Sequence, residues 1–132
     1  MHIIRLKDCP EFTAGDHSRL REILHPDRNP QTESTGKPKD EKSPRYSLAH
    51  ATVPPGRATI PHRLQSSELY YILQGRGRMY IDDEARDVGT SDTVYIPPRA
   101  AQHIVNTGDC DLTFLCIVDP AWQLKDEEII SA

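Results

Sequence analysis

The chain of 132 residues has no long apolar run and no excess of basic residues. A membrane-spanning helix needs about 20 consecutive apolar residues, so the sequence predicts no contact with a membrane. The first eight residues lack the apolar stretch of a signal peptide, which favours a cytoplasmic protein. The formal net charge is -4 with both signs interspersed, and this balance argues against nucleic-acid binding.

Cysteine is also scarce. The three cysteines include no close-spaced pair, which fits a reducing compartment. Cys116 lies in the apolar run 112–118 and is expected to be a small buried hydrophobe. No cysteine and histidine stand together as a nucleophile pair would require. Gly75-Arg-Gly77 lacks the third glycine and the following helix of a dinucleotide fingerprint, so covalent catalysis and nucleotide binding are not indicated.

The length predicts one domain over residues 1–132. Residues 1–25 are expected to carry short strands at 3–6 and 21–24. Residues 26–45 hold four prolines and no other aliphatic or aromatic side chain, which is typical of a solvated loop. Residues 46–118 consist of short alternating runs separated by turn residues, and residues 119–132 are a tail with an expected short helix over 125–130. This pattern predicts an all-β sandwich or barrel.

Two runs in the middle of the chain place polar side chains on apolar strand faces. Side chains alternate along a strand, so His62 shares a face with Ile60 and Leu64, and Glu68 shares one with Tyr70. A carboxylate on such a face is costly unless it meets a metal, a base or a polar ligand. The pattern therefore predicts a cavity site at His62 and Glu68. Tyr70 has the right parity to add a phenol for proton transfer.

These residues resemble two motifs of the cupin superfamily. The first motif is a glycine, a His-x-His pair, a glutamate and a second glycine, and at the same spacing this chain has Gly56, His62-Arg63-Leu64, Glu68 and Gly75. The second motif runs from Gly-Asp through Pro-x-Gly to a histidine and an asparagine, and here it stands as Ser91-Asp92, Pro97-Pro98-Arg99, Gln102 and Asn106. The resemblance covers about residues 46–118. It implies a double-stranded β-helix, a jelly-roll barrel of antiparallel strands with a hollow centre.

The resemblance also implies a metal. In the fullest form of the family, two histidines and the glutamate of the first motif join the histidine of the second around one divalent ion. Only His62 and Glu68 match this set, since Leu64 and Gln102 occupy the other two positions. Gln102 offers a neutral amide oxygen, a weaker ligand than imidazole. A divalent transition metal (zinc, iron, manganese or nickel) is thus expected at His62, Glu68 and Gln102, with open positions for water or substrate.

Two local alternatives stay open. Strand alternation turns His103 outward if Gln102 points inward, but a one-residue bulge after Pro98 would exchange them. Glu68 is alternatively paired within the protein, with Arg63 or a backbone amide, and meets no ligand.

Three classes of function stay open, because fold does not imply function. The first is a metal-dependent isomerase, lyase, decarboxylase or dioxygenase acting on a small polar metabolite. The second is a non-catalytic binder or sensor of a small ligand. The third is a metal-free sugar isomerase or epimerase with Glu68 as general base and His62 as its acid partner. The resemblance further implies a homodimer joined through the N-terminal strands, which would cover an exposed sheet edge.

Overall fold

Antiparallel strands in two facing sheets make up most of the described structure. The computed structural model describes residues 1–27 and 43–130. Its two helical segments, Leu6–Asp8 and Leu124–Asp126, are three-residue 3-10 turns, and no helix in the described ranges has the length or the apolar character to cross a membrane. The strands are β1 (Glu11–Thr13), β2 (Arg19–Leu24), β3 (Ser47–Val53), β4 (His62–Leu64), β5 (Ser67–Gln74), β6 (Arg76–Ile81), β7 (Glu84–Gly89), β8 (Thr93–Ile96), β9 (Gln102–Asn106), β10 (Leu112–Asp119) and β11 (Glu127–Ile129).

The strands form one sheet of six and one of five. The larger sheet has the order β1-β2-β3-β10-β5-β8, and the smaller has the order β11-β4-β9-β6-β7. Every strand pair is antiparallel. From β3 onward the chain passes back and forth between the sheets, which is the winding of a double-stranded β-helix. The predicted all-β jelly-roll barrel is confirmed.

Large inward side chains fill one end of the barrel. On β5, Tyr70 and Ile72 are buried whereas Tyr71 is exposed, as strand alternation requires. The inward residues join one apolar cluster, which contains Ala51, Val53, Tyr70, Ile72, Met79, Ile96, Ala100, Ile104, Leu112, Phe114 and Cys116. Burying a large apolar side chain stabilises a fold by roughly 1.5–3 kcal/mol. This end therefore holds the sheets together and fixes the strands that carry the polar residues.

The local predictions were right for most of the strands between residues 47 and 119 and for the strand at 21–24, which lies within β2. They were wrong for residues 3–6 and for the terminal helix. Residues 3–6 form no strand, and the N-terminal pairing is instead the β1–β2 hairpin, where Phe12 lies opposite Leu20. The terminal helix expected over 125–130 is reduced to the 3-10 turn, because Glu127–Ile129 pairs with β4 as a strand. That pairing satisfies backbone groups that the edge of the smaller sheet would otherwise expose. Most of the loop predicted over 26–45 lies outside the described residues.

Side-chain hydrogen bonds hold the segment after β10 against the barrel. His25 donates from Nε2 to the carbonyl oxygen of Trp122 at 2.7 Å, and the Trp122 amide donates to Ser47 Oγ at 2.9 Å. The Ser66 hydroxyl donates to the carbonyl oxygen of Pro120 at 2.7 Å. These contacts hold Trp122 beside the start of β3, and β11, which follows it, beside β4.

Two residues of the cupin-like motifs have structural roles at the end of the barrel that the large apolar side chains fill. Gly75 has φ +89, and a Cβ there would lie 2.7 Å from the carbonyl oxygen of Asp111, so only glycine fits this turn. Asn106 is buried and donates from Nδ2 to the carbonyl oxygens of Val53 and Cys110, at 2.9 and 2.8 Å. Its Oδ1 accepts from the Gly108 amide at 2.8 Å. Asn106 thereby ties β3 and β9 to the turn before β10.

Replacing Asn106 with alanine should lower the free energy of unfolding by roughly 2–4 kcal/mol, because it leaves buried backbone groups without partners. Urea denaturation of wild-type and variant protein measures this loss. Thr107→Ala is the matched control, since Thr107 is the exposed neighbour and should cost about 0.5 kcal/mol or less. Equal effects of the two substitutions would contradict the structural role of Asn106.

Candidate functional site

A cavity of about 130 Å³ lies between the sheets, at the end that the large apolar side chains leave open. An engineered apolar cavity of about 150 Å³ is large enough for benzene, so this one has room for a molecule of about six non-hydrogen atoms. Its walls come from residues of β1, β2, β3, β4, β5 and β10, and from the segments between β1 and β2 and after β10.

Small side chains on β3 create this space. The inward positions of the strand are Ser47, Ala49 and Ala51, and all three line the cavity. The next inward residue is Val53, which belongs to the apolar cluster instead. The increase in side-chain size along one strand therefore separates the open end from the packed end.

Glu68 is the central polar residue of the cavity. It lies on β5 with 7% of its surface exposed, and its Oε1 accepts a hydrogen bond of 2.9 Å from Gln102 Nε2. Burial raises the pKa of Glu68 to about 8. The hydrogen bond from Gln102 opposes that rise, whereas the carboxylates of Asp16 and Glu127 add to it. The Glu68 carboxyl is therefore mostly protonated at neutral pH.

Gln102 connects Glu68 to Tyr70. The Tyr70 hydroxyl donates to Gln102 Oε1 at 2.8 Å, while Gln102 Nε2 donates to Glu68. Gln102 is 1% exposed. Its amide oxygen and its amide nitrogen each make a hydrogen bond to a protein side chain, away from water. Burial, followed by the neighbouring Glu68 carboxylate, raises the pKa of Tyr70, and the phenol stays protonated. The three side chains form a buried chain of hydrogen bonds with fixed donors and acceptors.

His62 faces the cavity with one ring nitrogen left for a ligand. It lies on β4 with 4% of its surface exposed, and its Nδ1 is 2.8 Å from the carbonyl oxygen of Ile60. A carbonyl oxygen only accepts, so Nδ1 carries the proton and Nε2 of the neutral ring is an acceptor. Nε2 lies 3.8 Å from Asp16 Oδ2, beyond hydrogen-bond distance. Protonated His62 would form an ion pair with Asp16.

Ser18 holds the Asp16 side chain in place through Oδ1, the oxygen that does not face His62. Asp16 Oδ1 accepts from the Ser18 amide at 3.0 Å and from the Ser18 hydroxyl at 2.7 Å. This local turn leaves Oδ2 directed toward His62. The sequence analysis did not select Asp16, because it lies in a short connection outside the cupin-like motifs and outside any alternating run.

Glu127 is the second acidic residue that the sequence analysis missed. It opens β11 opposite Leu64 of β4, and its Oε2 accepts from Trp122 Nε1 at 3.1 Å. Burial raises the pKa of Glu127, nearby His62 opposes the rise and Asp16 adds to it. The tail was expected to be helical, and only its pairing with β4 brings Glu127 to the cavity. Trp122 also lines the cavity.

The structure brings together all four residues that the sequence assigned to the site. His62 lies opposite Gln102 in the β4–β9 pairing, and Gln102 joins Glu68 to Tyr70. His103 is on the opposite face of β9, where its ring stacks on Tyr80 with centroids 4.3 Å apart. Gln102 therefore points inward and His103 outward, as strand alternation without a bulge after Pro98 predicts.

The proposed internal pairing of Glu68 with Arg63 is not present. Arg63 lies on β4 with its guanidinium 3.6 Å from Glu128 on the neighbouring β11. His62 and Leu64 are the buried residues of β4, and Arg63 points to the other face. Glu68 has Gln102 as its partner instead.

The donors around Glu68 do not fit a divalent metal as they are arranged. Leu64, at the position of the family's second histidine, is buried against the cavity and offers no donor atom. Gln102 uses its amide oxygen for Tyr70 and its amide nitrogen for Glu68. In residues 1–27 and 43–130, no group of three or more histidine, cysteine, aspartate or glutamate side chains is arranged to hold a metal ion. What is present is one imidazole, one neutral amide and carboxyl groups, of which burial raises the pKa of Glu68 and of Glu127.

The chain is similar to proteins with and without an assigned function. An uncharacterised protein of Methanocaldococcus jannaschii is 40% identical over 120 residues, which cover 90% of this chain and 86% of that protein. An oxalate-binding protein of Thermotoga maritima is 29% identical over 72 residues, covering 54% of this chain and 60% of the relative. A Streptomyces nucleoside dehydratase has a solved structure with a TM-score of 0.72 at 18% identity, covering 98% of this chain and 91% of the other.

The structural likeness to the dehydratase concerns the barrel, since 18% identity carries no residue-by-residue correspondence. The sequence comparison is more specific about ancestry. A family model of the cupin domain matches residues 49–118, which span β3 to β10 and include both motifs and the inward residues His62, Glu68 and Gln102. The chain belongs to the cupin family.

Proposed function

We propose that this cupin is a metal-independent enzyme that carries out acid–base chemistry, a dehydration or an isomerisation, on a small hydroxylated metabolite. The observation that carries the proposal is the state of Glu68. Its carboxyl is buried in the cavity wall, Oε1 is bound to Gln102, and Oε2 makes no hydrogen bond to the described residues. A carboxyl with a pKa of about 8 is a proton donor suited to neutral pH.

The hydrogen bond from Gln102 determines which oxygen of Glu68 carries the proton. Because Oε1 accepts from Gln102 Nε2, the proton of neutral Glu68 is on Oε2. A ligand hydroxyl in the cavity would receive this proton as its C–O bond breaks and water leaves. Tyr70 restrains the Gln102 amide through its own hydrogen bond, so it is a positioning residue for the proton donor.

His62 supplies the matching base. Its neutral Nε2 would take a proton from the carbon next to the one that loses the hydroxyl, and the two electrons of that C–H bond form the new double bond. The resulting imidazolium lies 3.8 Å from Asp16 Oδ2 and near Glu127, and both carboxylates stabilise it. The roles are reversed from the third sequence-based hypothesis, in which Glu68 was the base, because burial keeps Glu68 protonated.

Two other hypotheses from the sequence stay predictions. A divalent metal at His62, Glu68 and Gln102 requires the Glu68 carboxylate to lose its proton and Gln102 to share or give up its bond to Tyr70. A non-catalytic binder would use the same hydrogen bonds without proton transfer. The dehydratase similar in fold acts on a nucleoside, which exceeds a cavity of about 130 Å³, so we expect a smaller substrate here.

The test combines metal analysis with turnover of small hydroxylated metabolites, followed by NMR for loss of hydroxyl-bearing carbons. We expect substoichiometric metal in protein purified without chelator, and turnover unchanged by EDTA. Glu68→Gln should lower kcat by about 10²–10⁴-fold. Tyr70→Phe should lower kcat less and shift its pH profile, because Gln102 loses one restraint.

The controls separate the three hypotheses. Glu84→Gln changes an exposed carboxylate at the start of β7 and should leave turnover unchanged. One transition metal per chain, lost in a His62→Ala, Glu68→Ala double variant, would make the metal hypothesis right and this proposal wrong. Tight binding of a metabolite with no turnover in wild-type protein would instead support the binder.

Glu68 should also make the stability of the fold depend on pH. Its pKa is about 8 in the folded protein and about 4.3 in an unfolded chain. Its contribution is therefore fully present below the unfolded pKa and is lost as the pH rises through the folded pKa, at up to about 1.4 kcal/mol per pH unit. The free energy of unfolding of wild-type protein in urea should fall between pH 5 and pH 8 more steeply than that of Glu68→Gln.

Some slope should remain in Glu68→Gln, since burial also raises the pKa of Glu127. Glu84→Gln should keep the full wild-type slope. Identical slopes for wild-type protein and Glu68→Gln would show that Glu68 is ionised in the folded state, and would remove the basis for its role as a proton donor.

We also propose that the chain forms a homodimer. The outer face of the larger sheet exposes Tyr71, Leu73, Tyr95 and Ile117 on the neighbouring strands β5, β8 and β10. Contiguous apolar surface of this kind is common at interfaces between subunits. The β1–β2 hairpin at the edge of the same sheet supports contacts through the N-terminal strands, as the sequence analysis expected.

Light scattering should give twice the chain mass of 14.9 kDa, and a Tyr71→Lys, Ile117→Lys variant should give the mass of one chain. Glu84→Lys, on the smaller sheet, should remain a dimer. A wild-type mass of one chain at the concentrations used for turnover would rule the dimer out.

A further inference from the structure

The cavity combines several acidic side chains with aromatic rings, and no lysine or arginine is among the described residues of its wall. Asp16, Glu22, Glu68 and Glu127 line it. His62 is the one basic group there, and the hydrogen bond to Ile60 leaves its Nε2 as an acceptor. Phe12, Tyr70, Phe114 and Trp122 contribute aromatic rings to the wall. The oxalate-binding relative is named for a dianion, which this lining would repel.

Polar atoms that face the cavity and make no hydrogen bond to the described part of the protein indicate which groups a ligand would carry. Glu68 and His62 are each more than nine-tenths buried. Glu68 Oε2 and His62 Nε2 make no hydrogen bond to the described residues. Asp16 Oδ2 faces the same space, since Oδ1 is occupied by Ser18. His62 Nε2 and Asp16 Oδ2 accept hydrogen bonds, whereas Oε2 of protonated Glu68 donates one. A matching ligand therefore carries hydrogen-bond donors at one end and an acceptor, such as a hydroxyl oxygen, at the other.

We propose that the ligand of this cavity is a small organic cation, a hydroxylated primary amine whose ammonium group lies between Asp16 and Glu127. An ammonium group has three donors and no acceptor, which complements the carboxylate oxygens. Aromatic walls favour cations over anions by cation–π attraction. The proposal rests on the acid–base function for its hydroxyl group, and it adds the charge of the substrate.

The expected geometry keeps the charged and reacting ends of the ligand apart. Asp16 comes from the connection between β1 and β2, and Glu127 from β11. Glu127 Oε1 lies beside Gly15, where a Cβ would be 3.5 Å away, so Glu127 and the Gly15–Asp16 segment are neighbours. Glu68 reaches the cavity from β5 of the larger sheet. The ammonium end would thus meet the two missed acids, and the hydroxyl end would meet Glu68.

Three probes of nearly equal size separate charge from shape. They are 2-amino-1,3-propanediol, glycerol and glycerate, which carry a positive, a neutral and a negative group on the same three-carbon skeleton. Binding to full-length, EDTA-treated protein would be measured by thermal shift and by calorimetric titration at pH 7. We expect the amine to bind at least about tenfold more tightly than glycerol, a difference of ~1.4 kcal/mol, and glycerate not to bind.

Substitutions that remove charge and keep shape test the assigned carboxylates. Asp16→Asn retains an oxygen for Ser18, and Glu127→Gln retains one for Trp122, so both should fold. Each should reduce the preference for the amine over glycerol by about threefold or more, as expected for loss of one partly buried charge. Glu128→Gln is the control, because Glu128 is the next residue of β11 and pairs with Arg63 outside the cavity. It should leave the preference unchanged.

The outcomes distinguish failure of this inference from failure of the acid–base function. Equal or tighter binding of glycerol, dependent on Glu68, would overturn the cation and leave the acid–base site intact. Binding of glycerate, or of magnesium or zinc ions added to the EDTA-treated protein, in preference to the amine would overturn the inference as well. Absence of binding by the amine up to its solubility would also overturn it, since the cavity admits six non-hydrogen atoms. Amine binding that survives Glu68→Gln, without turnover in wild-type protein, would support this inference and contradict the acid–base function.

Discussion

The chemistry of this barrel depends on one constraint, which is that Glu68 is buried in a cavity whose described lining contains no lysine or arginine. A carboxylate in an apolar environment loses its hydration, and the usual compensation is a metal ion or an arginine. Here the compensation is an amide hydrogen bond from Gln102 and a retained proton. The same burial that makes the ionised form costly also makes the proton available at neutral pH.

Leu64 and Gln102 stand where the fullest cupin motifs have histidines, and both therefore remove a metal ligand. A histidine at either position would bring a further metal ligand toward Glu68 and His62, as the resemblance to the fullest cupin motifs implies. Leucine removes the donor, and glutamine replaces it with a group that donates to Glu68 and accepts from Tyr70. The two substitutions act together, because an amide that donates to a carboxyl stabilises a hydrogen-bonded network in which no cation is needed. The barrel keeps its fold because the packed end, with Ile72, Leu112 and Ile104, does not involve either position.

The sequence was sufficient to predict the part of the site that lies on regular strands. Alternation with period two is a local property, so the inward positions of Glu68, Tyr70 and Gln102 follow from their neighbours once the strands are recognised. Asp16 and Glu127 could not be found in that way. Asp16 lies in a connection of the N-terminal hairpin, and Glu127 reaches the cavity only because β11 pairs with β4 across the smaller sheet. Non-local pairing of this kind leaves no periodic signal in a three-residue strand.

The missed residues change the interpretation of the predicted ones. With His62, Glu68 and Gln102 alone, the cavity is a depleted metal site, and the missing ligands are its main feature. With Asp16 and Glu127 added, it is a polarised pocket in which one imidazole faces several carboxyls. The imidazole is a stronger partner for those carboxyls when it is protonated. Ionised neighbours raise the pKa of Glu68, because their charge disfavours a further carboxylate, and so keep its proton in place at neutral pH. Transfer of a proton from a ligand to His62 and from Glu68 to the ligand therefore moves positive charge toward Asp16 and Glu127. This charge separation is what a depleted metal site would lack and what the two end segments of the chain contribute.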